Sequence, residues 1–142
     1  MDLEKQIAEL SNMFIKNGFD NMVRVTDVTN YNSTSGTLIE SLKALNLSKA
    51  GTTISITTFF NYKNDQDYIE CFFKGNYSGE KGFKIANLSV EKNTNGFKKN
   101  FEIAINDLKD LPTKEKIESL ISPPVKLDFD KLKNSNNKRY RL

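Results

Sequence analysis

Thr52-Thr53-Ile54-Ser55-Ile56-Thr57-Thr58-Phe59-Phe60-Asn61-Tyr62, followed after Lys63 and the polar run Asn64-Asp65-Gln66-Asp67 by Tyr68-Ile69-Glu70-Cys71-Phe72-Phe73-Lys74-Gly75-Asn76-Tyr77, is the stretch that decides the fold. Both halves are rich in β-branched and aromatic residues, and the polar run between them has turn chemistry, so the segment reads as a β-hairpin. A turn of four residues, Asn64 to Asp67, sets Lys63 against Tyr68, Tyr62 against Ile69, Phe60 against Cys71, Phe59 against Phe72 and Ile56 against Gly75. Side chains alternate across a sheet, so one face collects Ile54, Ile56, Thr58, Phe60, Tyr62, Ile69, Cys71, Phe73 and Tyr77. The opposite face is polar, with Ser55, Thr57, Asn61, Lys63, Glu70, Lys74 and Asn76, except for the pair Phe59–Phe72.

Working outward, residues 3–16 carry Leu3, Ile7, Leu10 and Phe14 on one side and Glu4, Lys5, Glu9 and Lys16 on the other, the pattern of an amphipathic helix. Asn17-Gly18 stops it, and Phe19 tucks back on it. Met22-Val23-Arg24-Val25 fits a short strand, and Asn30 to Gly36 has loop composition. Thr37-Leu38-Ile39-Glu40 fits a capping box opening a short helix with Leu38, Leu42 and Leu45 on one side. Beyond the hairpin, Phe83 to Glu91 reads as a strand whose apolar phase switches after Ile85, which predicts a bulge near Ala86. Phe97 to Ile105 is the next strand, after a turn at Asn93-Thr94-Asn95-Gly96. Lys114 to Ser122 is a last helix, with Thr113 as its cap and Ile117, Leu120 and Ile121 as its apolar stripe. Pro123-Pro124 ends it, and Val125 to Phe129 alternates as an edge strand would. The expected class is α+β: an antiparallel meander sheet of about four to five strands with helices packed on one face. Residues 1–130 form the single domain, and 131–142 a basic tail or terminal edge strand.

Composition excludes much chemistry. With no histidine and one cysteine in 142 residues, the chain cannot build Ser-His-Asp or Cys-His catalysis, a histidine-ligated metal, or an intrachain disulfide. Cys71 falls on the apolar hairpin face, where a structural thiol is expected. Asp65 and Asp67, Asp107 and Asp110, and Asp128 and Asp130 lack the spacing of a calcium loop, and the glycines lack that of a phosphate loop. The expectation is a non-enzyme without cofactor or metal, with carboxylate or lysine chemistry left open. A mean hydropathy of −0.55, no run long enough for a membrane helix, and Asp2 and Glu4 where a leader is basic point to a cytoplasmic protein that does not engage membranes.

Two features stand out as candidate binding sites. The tail carries Lys131, Lys133, Lys138, Arg139 and Arg141 without an acid; the chain's +3 less the tail's +5 leaves −2 for residues 1–130. With Tyr140 available to stack on a base, these residues form a candidate nucleic-acid site, the alternative being a solubilising terminus. The second is Phe59 and Phe72 on the polar sheet face, with Tyr68 and Lys74 nearby: a docking surface for a protein partner or a second copy, a base-stacking platform, or a face covered by another part of the chain.

Leu10 to Phe19 ending in Asn17-Gly18-Phe19, Phe101-Glu102-Ile103 leading into the Thr113-Lys114-Glu115 helix, and Val125-Lys126-Leu127-Asp128-Phe129 before a basic, Asn-rich segment resemble small uncharacterised bacterial proteins associated with conjugative and other mobile elements. The resemblance implies an accessory role in mobile-element biology and assigns no reaction. The expected function is therefore an interaction or accessory protein working through the exposed sheet face, with a nucleic-acid-binding accessory factor using the tail as the alternative.

Overall fold

The computed structural model describes residues 2–61, 68–94 and 97–121. Six strands form one antiparallel sheet: β1 (Met22–Asp27), β2 (Asn32–Thr37), β3 (Thr52–Asn61), β4 (Tyr68–Ser78), β5 (Gly82–Thr94) and β6 (Phe97–Ala104), in the order β2-β1-β3-β4-β5-β6. Three helices accompany it, α1 (Leu3–Lys16), α2 (Leu38–Ala44) and α3 (Lys114–Ile121). The class is the expected α+β. The strand beyond the expected number is β2, whose sequence Asn32-Ser33-Thr34-Ser35-Gly36-Thr37 has loop composition but pairs along its whole length with β1. An edge strand with little to bury needs no apolar alternation, so it leaves no periodic signal.

The helices supply one wall of the core and the sheet the other. Ile7, Leu10 and Phe14 from α1, Leu38 and Leu42 from α2, and Ile117 and Ile121 from α3 are buried with Val25, Ile54, Ile56, Ile69, Cys71, Phe73, Ile85, Leu88 and Val90 from the sheet. At the centre the Phe73 ring meets Phe14 edge-on at 4.7 Å and Phe19 at 5.2 Å. Leu120, expected in the α3 stripe, is instead 47% exposed. An eight-residue helix that buries Ile117 and Ile121 one turn apart presents a seam too narrow for a third residue.

Local signals hold the helices in place. Asp2 caps α1 by accepting from the Glu4 N–H. Asn17 closes α1 and also donates its side-chain amide to the Leu111 carbonyl, while its own carbonyl accepts the Lys114 N–H at 2.8 Å. The stop signal thus ties the end of α1 to the start of α3. Gly18 follows at φ 91°, with the Lys114 side chain against it. The Thr37–Glu40 capping box is fully formed, and the Thr113 hydroxyl accepts from the Lys116 N–H in α3.

The hairpin register differs from expectation by two residues. Asn61, not Lys63, lies opposite Tyr68, so Phe59 faces Glu70, Phe72 faces Thr57, Phe73 faces Ile56 and Gly75 faces Ile54. The physical reason is the period of the strand: a slip of one residue exchanges the faces, but a slip of two leaves every side chain on the face already assigned to it. Alternation therefore fixes the faces and is silent on the turn. The bulge near Ala86 is present, since Lys74 pairs with Asn87 and Gly75 with Ile85, leaving Ala86 unmatched. The Asn64–Asp67 turn, the faces of Phe60 and Tyr62, residues 95–96 of the next turn, Pro123-Pro124, Val125–Phe129 and the tail lie outside the described residues or side chains.

Candidate interaction face

The helices take one face of the sheet; the other is open among the described residues. Alternation along each strand places its side chains in rows that cross the sheet. One row runs Phe59, Glu70, Glu91, Asn100 from β3 to β6; the next runs Ser35, Arg24, Thr57, Phe72, Ser89, Glu102 from β2 to β6. A third runs Ser33, Thr26, Ser55, Lys74, Asn87, Ala104, and a fourth Thr53, Asn76, Lys84.

Phe59 is not paired directly with Phe72 as expected, yet the two remain diagonal neighbours, on opposite sides of the Thr57–Phe72 and Phe59–Glu70 steps. Diagonal positions on one sheet face stand about 7–8 Å apart, within reach of aromatic rings. Tyr68 is the other diagonal neighbour of Phe59, so Glu70 is flanked by Phe72 and Tyr68 along its own strand. Phe59 is 64% exposed and Tyr68 41%, while Phe72 is half-buried. Lys74 lies exposed in the third row, two rows from Phe59. Three of the four expected interaction residues thus gather around Glu70, and Lys74 belongs to the other end of the face.

The structure adds Met22 and Arg24 to the face, residues whose sequence marks them only as part of a short strand. A cleft of about 390 Å³ runs beside Phe59, lined among others by Asp20, Met22, Arg24, Thr57 and Glu70. Met22 is 60% exposed. Its outward direction follows from the alternation of Met22-Val23-Arg24-Val25, but its neighbourhood depends on β1 lying beside β3, which no local pattern announces.

Cys71 is fully buried on the helix-covered face, and burial, helped by the negative charge of Glu70, pushes its thiol from 9.0 up to about 12. Such a thiol stays protonated and is no nucleophile. Asp107 caps the 3-10 turn Leu108–Asp110 by accepting from the Lys109 N–H. No three acidic or cysteine side chains among the described residues come together as a metal site would require. No helix of the described residues is long and apolar enough to cross a membrane. Lys131, Lys133, Lys138, Arg139, Tyr140 and Arg141, the candidate nucleic-acid residues, lie outside the described residues, as do Asp65, Asp67, Asp128 and Asp130. No protein-family model, curated protein or solved structure matches the chain.

Proposed function

We propose that the protein is a non-enzymatic interaction protein, an accessory factor that docks a protein partner on its open sheet face around Phe59. One observation carries this: a phenylalanine 64% exposed on an interior strand of the sheet, beside an exposed methionine and a cleft. Exposed aromatic and methionine side chains grouped on one face, ringed by charged and hydroxyl groups, have the make-up of a docking patch. The cleft is half open to solvent, and the buried Cys71 thiol offers no nucleophile. Along the strands of the open face, Arg24, Lys74 and Lys84 stand with Glu70, Glu91 and Glu102, three bases against three acids, so the face as a whole presents no continuous basic track for a phosphate backbone.

Hydroxyl-radical footprinting in cells, read against dilute purified protein, tests the proposal. Met22, Phe59 and Tyr68 are oxidised in the purified chain and protected in cells, whereas Tyr31, 88% exposed on the β1–β2 turn, is labelled equally in both. Equal labelling of all four residues in the two samples would sink it.

A further inference from the structure

The open face is electrically divided along the strand direction. At one end stand Glu70 and Glu91, directly opposite each other on β4 and β5, beside Phe59. At the other stand Lys74 and Lys84. Beyond them, at the β4–β5 turn, lies a groove of about 810 Å³ lined by Lys49, Lys81 and Lys84, with Glu80 as its one acid. The backbone on both sides of that groove is tied down, since the Gly79 N–H donates to the Lys49 carbonyl at 2.9 Å and the Lys81 N–H to the Ser78 hydroxyl at 3.0 Å. None of Lys49, Lys74, Lys81 and Lys84 forms an ion pair with a described residue.

A face with an acidic, aromatic end and a basic end is complementary to itself turned end for end. We infer that the occupant of the open face is a second copy of this chain, packed face to face about a two-fold axis that crosses the strands between the Phe72 and Lys74 rows. This rests on the open face being a docking face, and it names the partner. The axis lays the Lys74 and Lys84 end of each copy on the Glu70 and Glu91 end of the other. Arg24 then falls against Thr26 of the second copy and Glu102 against Ala104, so no like charges are opposed. Lys74 comes over the Phe72 ring, where a cation is attracted. Every contact occurs twice, as an isologous interface requires.

The area is sufficient. Six strands about 4.8 Å apart, with about seven residues each at 3.3 Å, give a face of about 24 by 23 Å. Two such faces bury on the order of 1,100 Å², just above the roughly 1,000 Å² a specific interface needs. A contact of that size, held in part by partly solvated charges, makes a reversible dimer that weakens with salt.

Sedimentation velocity of the full chain, from about 1 to 200 µM at low and high salt, reads the result. The wild type passes from monomer to dimer over that range, and salt shifts the midpoint upward. Lys84→Glu and Glu91→Lys, which the axis sets against each other, each weaken dimerisation on the order of 10-fold, and the double variant, which restores the complementarity, recovers to within about 3-fold of wild type. A monomer at every concentration overturns the inference; if Met22, Phe59 and Tyr68 are nevertheless protected in cells, the docking face stands and its occupant is a different protein. A dimer indifferent to both reversals, or a double variant no better than the singles, overturns it as well. Circular dichroism of each variant confirms that a loss of dimer is not a loss of fold.

Discussion

Gly75 shows how much of this fold turns on single residues. It sits where the β4–β5 ladder changes register, and a Cβ there would collide with the Lys84 carbonyl and stand 2.8 Å from the Ile85 Cα. Both obstacles are backbone, so neither can rotate away. Gly75→Ala is expected to cost about 2–3 kcal/mol in urea denaturation, as overpacking against a fixed neighbour does. An Ala variant as stable as wild type would mean the bulge is placed elsewhere. Cys71 gives a second residue-scale prediction, through pH. Its thiol ionises near 9.0 when exposed and at about 12 in the fold, so between those values the unfolded chain has released the proton and the native chain has not. Stability therefore falls as pH rises through that window, by up to about 1.4 kcal/mol per pH unit, and is unaffected by this group below it. The difference in unfolding free energy between wild type and Cys71→Ala measured at pH 8 and pH 10 isolates the effect. An unchanged difference would show that the thiol is reached by water.

Among the elements, helices were the most legible, because their ends carry explicit chemistry. The Thr37–Glu40 box forms with both reciprocal bonds, the Thr37 hydroxyl accepting from the Glu40 N–H at 3.1 Å and the Glu40 carboxylate accepting from the Thr37 N–H at 3.2 Å. Thr37→Ala should lower stability by about 1 kcal/mol, with Thr37→Ser retaining most of it, as urea midpoints would reveal. Equal losses for the two substitutions would assign the role of Thr37 to β2 rather than to α2. Strands were legible in proportion to what they bury. The alternation in β3 and β4 sorts their faces correctly, and the phase switch at Ile85 marks the bulge. β2 has no such alternation and reads as loop. The hairpin register eluded the sequence for a related reason, since only the identity of the turn distinguishes registers two residues apart, and Asn64-Asp65-Gln66-Asp67 is compatible with more than one loop length.

For the whole molecule, the two faces of one sheet differ in make-up. The helix side joins residues far apart in sequence, as in the Phe14, Phe19 and Phe73 cluster and the Asn17 bridge to Leu111 and Lys114. The open side displays Phe59, Tyr68 and Met22 at one end and lysines at the other. Its aromatic members were visible from the hairpin alone. The division of charge was not, because it depends on Glu91 and Lys84 standing across from Glu70 and Asn76, which only the β4–β5 pairing with its bulge establishes. The same substitution on the two faces tests most directly that one face is covered and the other open: thermal unfolding of Phe73→Thr and Phe59→Thr, at a concentration low enough to keep the chain monomeric. Phe73 is fully buried, so its truncation should cost about 4 kcal/mol and lower Tm by roughly 10 °C or more. Phe59→Thr keeps a β-branched residue on an exposed strand position and should leave Tm within about 2 °C of wild type. A loss for Phe59→Thr comparable to that for Phe73→Thr would mean that both faces of the sheet are covered, and the open docking face would be contradicted.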